Sequence, residues 1–449
     1  VPMSTIKRLS LATFLLLAAA CGPAEDPAPA ADAGPGGGGG GDVDAGVECT
    51  ATCEVEFTFP FQAGVSKVEL RGDFGVAPWE EGIELTSDGG QWRGTLELED
   101  GEFVQYKYVL NDTDWVLDPD NQSILPDFNG NVNSVAQADC GCKADAFNWE
   151  DSILYFVFLD RFNDGDPTNN SQVDNVPYEA NYQGGDLKGV TQKIEEGYFD
   201  SMGVNTLWLT SPFENSDSAG LGMDGRMYSA YHGYWPTDLE RIDSRVGTIE
   251  DLAALVDAAH ARGIKVLIDY AMNHVHSDSP LYRDNPDWFW PNDNGFGGNC
   301  VCGEGCAWEG DEGRRCWFRD YLPDFNFTNP DARNWSINNA VEFAKATGVD
   351  GYRLDAVKHI ESQWLYELRA RIREEVEIPR GEDFYMVGET FSPDSQLISS
   401  YVDPLTQLHG QFDFPMRAEL ARTLLRRDGT MGDLAGFLNY KASVYHPDS

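Results

Sequence analysis

The sequence predicts two unlike folds in series, an antiparallel β-sandwich over residues 47–145 and an α/β barrel over residues 146–449. In the first stretch, short runs rich in β-branched and aromatic residues (55–59, 67–71, 91–98 and 104–110) are separated by Gly, Asp and Asn, which is sandwich patterning. From about Asn148 onward the pattern becomes apolar strand followed by helix, repeated, and that alternation implies a parallel sheet. The number of repeats points to a TIM-type (β/α)8 barrel, a fold whose functional groups sit where strands end.

Ahead of the sandwich, Lys7 and Arg8 precede an apolar run over 9–20 that closes on small residues. This is the anatomy of a secretory signal, and it is too short to span a bilayer. The run Leu17-Ala18-Ala19-Ala20-Cys21 resembles a bacterial lipobox, whose cysteine is acylated, so residues 1–21 are expected to be a lipoprotein signal. Residues 22–46, nearly all Pro, Ala, Gly and Asp, cannot bury enough apolar surface to order themselves and read as a flexible tether. The expectation is an exported protein, lipid-anchored at Cys21 to the cell envelope. Gly22 in place of Asp after the cysteine favours the outer membrane or cell surface.

Charge excludes some partners. Against 32 Lys and Arg stand 75 Asp and Glu, a formal net charge of -43 that repels nucleic-acid phosphates and anionic headgroups. With Cys21 assigned to lipid, eight of nine cysteines remain, in two groups. Cys49, Cys53, Cys140 and Cys142 bracket the sandwich and are expected to join its ends, while Cys300, Cys302, Cys306 and Cys316 lie in a Gly-rich loop. An oxidising compartment favours disulfides over zinc, and the pairings stay open.

In the second half, apolar strands are expected at 153–158, 206–209, 264–268, 351–354, 384–387 and near 408–412, with helices such as 252–261 and 362–375 between them. Three of these strands end on an acid: Asp269, Asp355 and Glu389. One acid at a strand end commonly caps or meets solvent, but three together predict a carboxylate-rich pocket. Paired carboxylates are what glycoside hydrolysis needs, one to protonate the departing oxygen and one to attack or activate water. Arg353 precedes Asp355 by two positions, so strand alternation sets both on one face, where the cation would keep Asp355 ionised. Glu389 must instead hold a proton, which requires surroundings that raise its pKa.

At these residues the chain resembles the alpha-amylase family. The runs beginning Asp269-Tyr270-Ala271-Met272-Asn273-His274, Gly351-Tyr352-Arg353-Leu354-Asp355 and Val387-Gly388-Glu389 are similar to three ordered signatures of that family, and "YHGYWPTD" and "LPDFN" also fit. The resemblance implies Asp355 as nucleophile, Glu389 as acid/base and Arg353 as orienter. It also implies substrate contacts from His232, Tyr234, Asp269 and His274, with Lys358 and His359 facing the sugar beyond the cut. Calcium is the implied cofactor. "NDGDPTNN" and "GGDLKG" offer Asp164, Asp166, Asn169, Asn170, Gly184 and Asp186, a set similar to a calcium site of cyclodextrin glycosyltransferases. A second site would use Asn273, Asp324 and the backbone carbonyl of His359, pinning a protruding loop domain over 275–329 to the barrel. Hard oxygen donors of this kind suit calcium, although an Asx-rich turn reads similarly.

The sandwich, through "VELRGDFGVAPW", "QWRGTLEL", "VQYKYVLNDTDWVLDP" and "GNVNSV", resembles the immunoglobulin-like modules that precede many such barrels and include glycogen- and starch-binding members. By position, Trp79, Lys107, Trp115 and Asn133 match residues that hold glucan, the alternative being that both Trp side chains are packing residues.

The function expected is retaining hydrolysis of alpha-1,4-glucosidic bonds in starch, glycogen or maltodextrins through a covalent glycosyl-enzyme. Alternatives are cyclodextrin or pullulan hydrolysis, transglycosylation, or a non-catalytic glucan-binding surface lipoprotein. Six strands are counted by 412, a closed barrel needs eight, and the family's fourth signature, an Asn-His-Asp run, does not follow Glu389. His446 and Asp448 flank a proline and read as loop residues. The barrel is therefore expected to be incomplete at its C-terminal end and these 449 residues alone to be inactive.

Overall fold

The computed structural model describes residues 51–141, 147–222 and 224–446. The expected signal, Cys21, the tether, Cys49 and Cys142 lie outside these residues.

The sandwich forms as patterned. Strand Thr52–Pro60 pairs antiparallel with Gln91–Glu99, and a second sheet runs in the order Ile83–Glu84, Val68–Gly72, Phe103–Leu110, Val132–Gln137, Ile124–Pro126. Alternate residues turn inward, so Phe57, Phe59, Val68, Leu70, Tyr106 and Tyr108 share one core. Tyr106 and Tyr108 bury hydroxyls that both reach Asp118, which keeps that polar cost low. Cys53–Cys140 closes a span of 87 residues from the first strand to just past the last, worth about 4–5 kcal/mol through restriction of the unfolded chain. The strands at Ile124–Pro126 and Val132–Gln137 are additional to the expected set; short length and the Gly/Asn-rich turn between them blunt the strand signal.

The second half is a parallel sheet of six strands among the described residues, Leu154–Val157, Thr206–Leu209, Lys265–Tyr270, Gly351–Leu354, Tyr385–Gly388 and Gly410–Gln411, adjacent in sequence order. This is the singly wound order of a TIM-type barrel, with helices such as Leu187–Glu195, Ile249–His260 and Pro330–Thr347 between the strands. The inner strands are largely apolar, as burial on both faces requires: in the third, Val266, Leu267, Ile268 and Tyr270 are all fully buried, with Asp269 among them. The helix expected over 362–375 is α-helical over Ser362–Ile372 and widens to a π turn over Arg373–Glu377. There Glu377 pairs with Arg369 at 2.8 Å and accepts the Phe384 N–H at 2.9 Å, tying the helix end to the next strand. Among the described residues no helix is long and apolar enough to cross a membrane.

Register sets the site. Asp269 lies opposite Arg353 and Arg353 opposite Val387, while Leu354 lies opposite Gly388. Asp355 and Glu389 therefore leave neighbouring strands at the same height, one layer above Asp269.

Candidate active site

One guanidinium joins the three acids. Arg353 Nη1 lies 2.8 Å from Asp269 Oδ1 and 2.6 Å from Asp355 Oδ1, and Nη2 lies 2.8 Å from Glu389 Oε2. Trp208 and Phe412 lie on the guanidinium at 5.3 and 5.6 Å, which removes water from it and strengthens its charge contacts. Backbone bonds fix the strand ends: Asp355 N–H donates to the Tyr270 carbonyl, Glu389 N–H to Leu354, and Val357 N–H to Glu389. Ala356, directly after Asp355, adopts φ 54°, a left-handed conformation that is strained for a residue with a Cβ and turns the chain sharply at the acid.

The layers have different exposure. Asp269 is fully enclosed, whereas the Asp355 and Glu389 side chains keep 12% and 19% exposure at the cleft. Asp269, expected among the sugar-facing residues, instead has both oxygens engaged, Oδ1 by Arg353 and Oδ2 by the Tyr234 hydroxyl at 2.7 Å. Burial pushes its pKa up to about 6. Burial likewise raises Glu389, to about 7, the Arg353 cation working against it and the neighbouring Asp355 with it. The expectation of an elevated Glu389 thus has a structural cause.

Around the acids, His232 Nδ1 accepts the Tyr234 N–H at 3.0 Å, which leaves Nε2 as the protonated nitrogen facing away. Burial lowers His232 to about 4, keeping the ring neutral. His274 Nε2 lies 3.0 Å from the Tyr234 carbonyl, with Nδ1 3.4 Å from Asn273 Nδ2, so both its nitrogens support neighbouring residues. Lys358 Nζ contacts Glu309 at 2.6 Å and donates to the Phe391 carbonyl at 2.9 Å. His359 Nδ1 donates to the Gly313 carbonyl at 2.6 Å.

Two clusters of oxygen donors lie apart from the acids. Asn273 Nδ2 donates to Asp324 Oδ1 at 2.6 Å, yet Asn273 Oδ1 and Asp324 Oδ2 are buried without any hydrogen-bond partner. Burial, together with the neighbouring Glu361, holds Asp324 well above the ordinary carboxyl range. In the loop near Asp164, Asn170 Nδ2 donates to Asp164 Oδ2 at 2.7 Å and Asn169 Oδ1 is buried and unpartnered. Gly184, at φ 96°, backs onto Asn170 where a Cβ would collide. Asp166 pairs with Lys188 at 2.7 Å, and both oxygens of Asp186 accept backbone N–H groups from Gly165, Asp166 and Gly189. The loop cysteines form Cys300–Cys306 and Cys302–Cys316. Although the Cys302 and Cys316 sulfurs lie within 4.8 Å of a His359 ring nitrogen, bonded half-cystines are not thiolate ligands, so zinc has no site there.

On the sandwich, Trp79, Lys107, Trp115 and Asn133 line one open groove of about 500 Å³ together with Gln105, Asp127 and Asn131. The two indoles lie 6.3 Å apart, with Trp115 44% exposed. Lys107 Nζ donates to Asn131 Oδ1 at 2.6 Å and Asn133 Nδ2 to Gln105 Oε1 at 3.0 Å.

Residues 156–442 match the family model described as alpha amylase, catalytic domain. The chain belongs to the alpha-amylase family. Residues 55–140 match a second model, the glycogen recognition site of AMP-activated protein kinase. Among curated relatives of this alpha-amylase-family chain, the cyclomaltodextrin glucanotransferase of Klebsiella oxytoca is 30% identical over 324 residues, covering 66% of this chain and 47% of the relative. That of Geobacillus stearothermophilus is 32% identical over 272 residues, covering 56% and 35%. Among solved structures, the alpha-amylase of Geobacillus thermoleovorans complexed with acarbose is 32% identical with a TM-score of 0.53, covering 67% of this chain and 59% of that one. An Anoxybacillus alpha-amylase gives 29% and 0.56, covering 67% and 60%. The chain thus spans about half the length, or less, of these curated relatives.

Several residues of this alpha-amylase-family site escaped the reading of the sequence. Trp208 was reachable, since alternation in a buried strand sends every second side chain inward, and an aromatic at such a position beside three strand-end acids is a candidate neighbour. Phe412 ends the strand expected near 408–412 and directly follows the observed Gly410–Gln411, whereas Glu309 carries no such signal, because it reaches the site through a loop whose path is set by tertiary packing.

Proposed function

We propose that the protein is a retaining alpha-glucan hydrolase in which Asp355 is the nucleophile and Glu389 the acid/base. The observation that carries this is the shared Arg353 guanidinium, whose Nη1 holds an Asp355 oxygen at 2.6 Å and whose Nη2 holds a Glu389 oxygen at 2.8 Å. Inverting enzymes leave room for a water between carboxyls about 6.5–9.5 Å apart, whereas retaining enzymes set them about 5 Å apart. Asp355 attacks the anomeric carbon as Glu389 gives its proton to the departing oxygen, so the glucosidic C–O bond breaks and an ester to Asp355 forms. Glu389, then ionised, takes a proton from water, whose oxygen displaces Asp355 and restores both groups. His232 and Tyr234 would contact the sugar before the cut, while Asp269 acts from beneath by fixing Arg353 and Tyr234. Starch, glycogen and maltodextrins are the proposed substrates.

Transfer to a sugar hydroxyl in place of water is the second reading, supported by curated relatives named as glucanotransferases. Incubation with maltoheptaose and with cyclodextrins, products separated by size, tests both. Only shorter linear products support hydrolysis, longer or cyclic products support transfer, and no products at all would sink both.

Calcium fits the donors present. Asn273 and Asp324 would hold it with the His359 carbonyl, and Asp164, Asn169 and Asn170 would form the core of another site; the unpartnered oxygens of Asn273, Asp324 and Asn169 support this. Bound there, the ion would neutralise buried carboxylate charge and tie the loop domain to the barrel. Chelation is expected to lower the thermal midpoint, and added calcium to restore it; an unchanged midpoint would remove calcium from the account. The sandwich groove is proposed to hold glucan. Export and anchoring at Cys21 remain part of this reading, supported by the signal-like N-terminal run and by disulfides that suit an oxidising compartment.

A further inference from the structure

Asp355 and Glu389 divide the cleft into two unlike sides. On one side stands Tyr234, joined to Asp269, with His232 beside it. The other side is built by the turns just past the two acids, where Lys358, three residues after Asp355, meets the carbonyl of Phe391, two residues after Glu389, at 2.9 Å. A second partner for the ammonium comes from far along the chain. Glu309 Oε1 lies 2.6 Å from Lys358 Nζ, and the ring of Trp308 lies 5.4 Å from the same nitrogen. The Lys358 side chain is 4% exposed and that of Glu309 56%, so the cation is set into the wall and its partner stands at the rim. An ammonium offers three hydrogens, and with two directed at Phe391 and Glu309 the direction of the third is fixed.

The loop that carries Glu309 has little apolar core. Its buried cluster consists of Cys300, Cys302, Cys306 and Cys316, with Trp308 and Phe318 against it, and two disulfides hold it in place of packed side chains. Through Glu309 and the Gly313 carbonyl, the clasped loop grips Lys358 and His359, successive residues of the turn after Asp355.

We propose that Glu309 is a positioning residue for the departing sugar: it holds Lys358 so that the ammonium binds a hydroxyl of that sugar, and thereby sets how well the cleft takes longer glucans. This rests on the assignment of Glu389 as the acid, since Phe391, whose carbonyl meets Lys358, follows Glu389 by two residues and so stands beside the proton donor. The carboxylate also offsets the ammonium charge, which suits neutral glucan hydroxyls over anionic ligands.

The test uses the full-length protein with Glu309→Ala and Glu309→Asp and has two readouts. The first needs no turnover: acetylation of Lys358 by an amine-reactive reagent, followed by mass spectrometry. Loss of the carboxylate should speed Lys358 labelling about fivefold, and aspartate should restore most of the protection, as expected for a charge-assisted contact. The second is the kinetics on maltoheptaose, where Glu309→Ala should raise KM about five- to tenfold while kcat changes less than about twofold, the mark of lost ground-state binding. Equal labelling in all three proteins would overturn the proposal. Faster labelling with an unchanged KM would overturn it too, since Lys358 would then be held without serving the sugar. Absence of turnover in the unsubstituted protein would instead sink the hydrolase reading, and the labelling would still decide whether Glu309 holds Lys358.

Discussion

The barrel cleft and the sandwich groove place polar groups in opposite ways. In the cleft, Asp269 and Arg353 are enclosed and three carboxylates converge on one cation, an arrangement whose desolvation is costly and which marks a candidate site for chemistry. In the groove, Trp115 stays 44% exposed, the polar side chains bond one another in pairs, and Lys107 meets an amide. The first site holds electrostatic tension and the second offers aromatic surface. Charge-removing changes should therefore be large in one and small in the other.

The largest expected effect is on turnover. In the full-length protein, Asp355→Asn should lower kcat by about 10⁴-fold or more while maltoheptaose still binds, because the attacking oxygen is lost and the cleft's shape is kept. Residual turnover near that of the unsubstituted protein would remove Asp355 as nucleophile. Next comes stability. Arg353→Leu leaves Asp269, Asp355 and Glu389 without their common cation, and breaking a buried pair of this kind costs about 3–5 kcal/mol. A denaturant midpoint that barely moves would mean that the acids take up protons at little cost, and the contrast with the groove would weaken.

A smaller effect should appear in the pH profile. Glu389 must be protonated to serve as acid, and its pKa is raised to about 7, chiefly by burial. Turnover should accordingly fall above about pH 7, tenfold per unit at the limit. The sign for folding is the same: the folded pKa lies above the ordinary glutamate value, so the stability contributed by this group is full below that value and is lost as pH rises through about 7. A basic limb of kcat/KM about two units lower, near the ordinary glutamate range, would show that the free cleft does not raise Glu389 in this way. Glu389→Gln should remove the limb along with most of the activity.

How much of this was legible in the sequence follows from the range of the forces involved. Strand alternation is local and sets Arg353 and Asp355 on one face, and a barrel whose strands end on Asp269, Asp355 and Glu389 gathers those acids at one end. The roles within that set were less legible: Asp269 ends a strand as the other acids do, and only the register, which sets it one layer down against Arg353 and under Tyr234, takes it out of reach of sugar. Glu309 was invisible because 49 residues separate it from Lys358 and a disulfide-held loop makes the meeting. In the sandwich, the longer alternating runs were readable. The three-residue strand Ile124–Pro126 was not, since its place depends on the neighbour it pairs with.

The smallest expected effect is also the one that tests the comparison from the groove's side. Trp79 and Trp115 stand 6.3 Å apart at a tilt of 41°, within the range of an aromatic pair, and both line the open groove. Trp79 holds a left-handed φ of 66°, which costs about 1 kcal/mol or more for a residue with a Cβ and is sustained by its surroundings. A glucan whose apolar ring faces cover these indoles would gain about 1–2 kcal/mol from each, so Trp115→Ala should weaken retention on immobilised glycogen or amylose about tenfold. The same change should leave kcat on maltoheptaose as it was, because a soluble short chain needs no second anchor. Retention equal to that of the unsubstituted protein would make Trp115 a rim residue without a ligand. A loss of kcat alongside retention would mean that the groove and the cleft act on one chain, and the division between a site for chemistry and a site for holding would have to be given up.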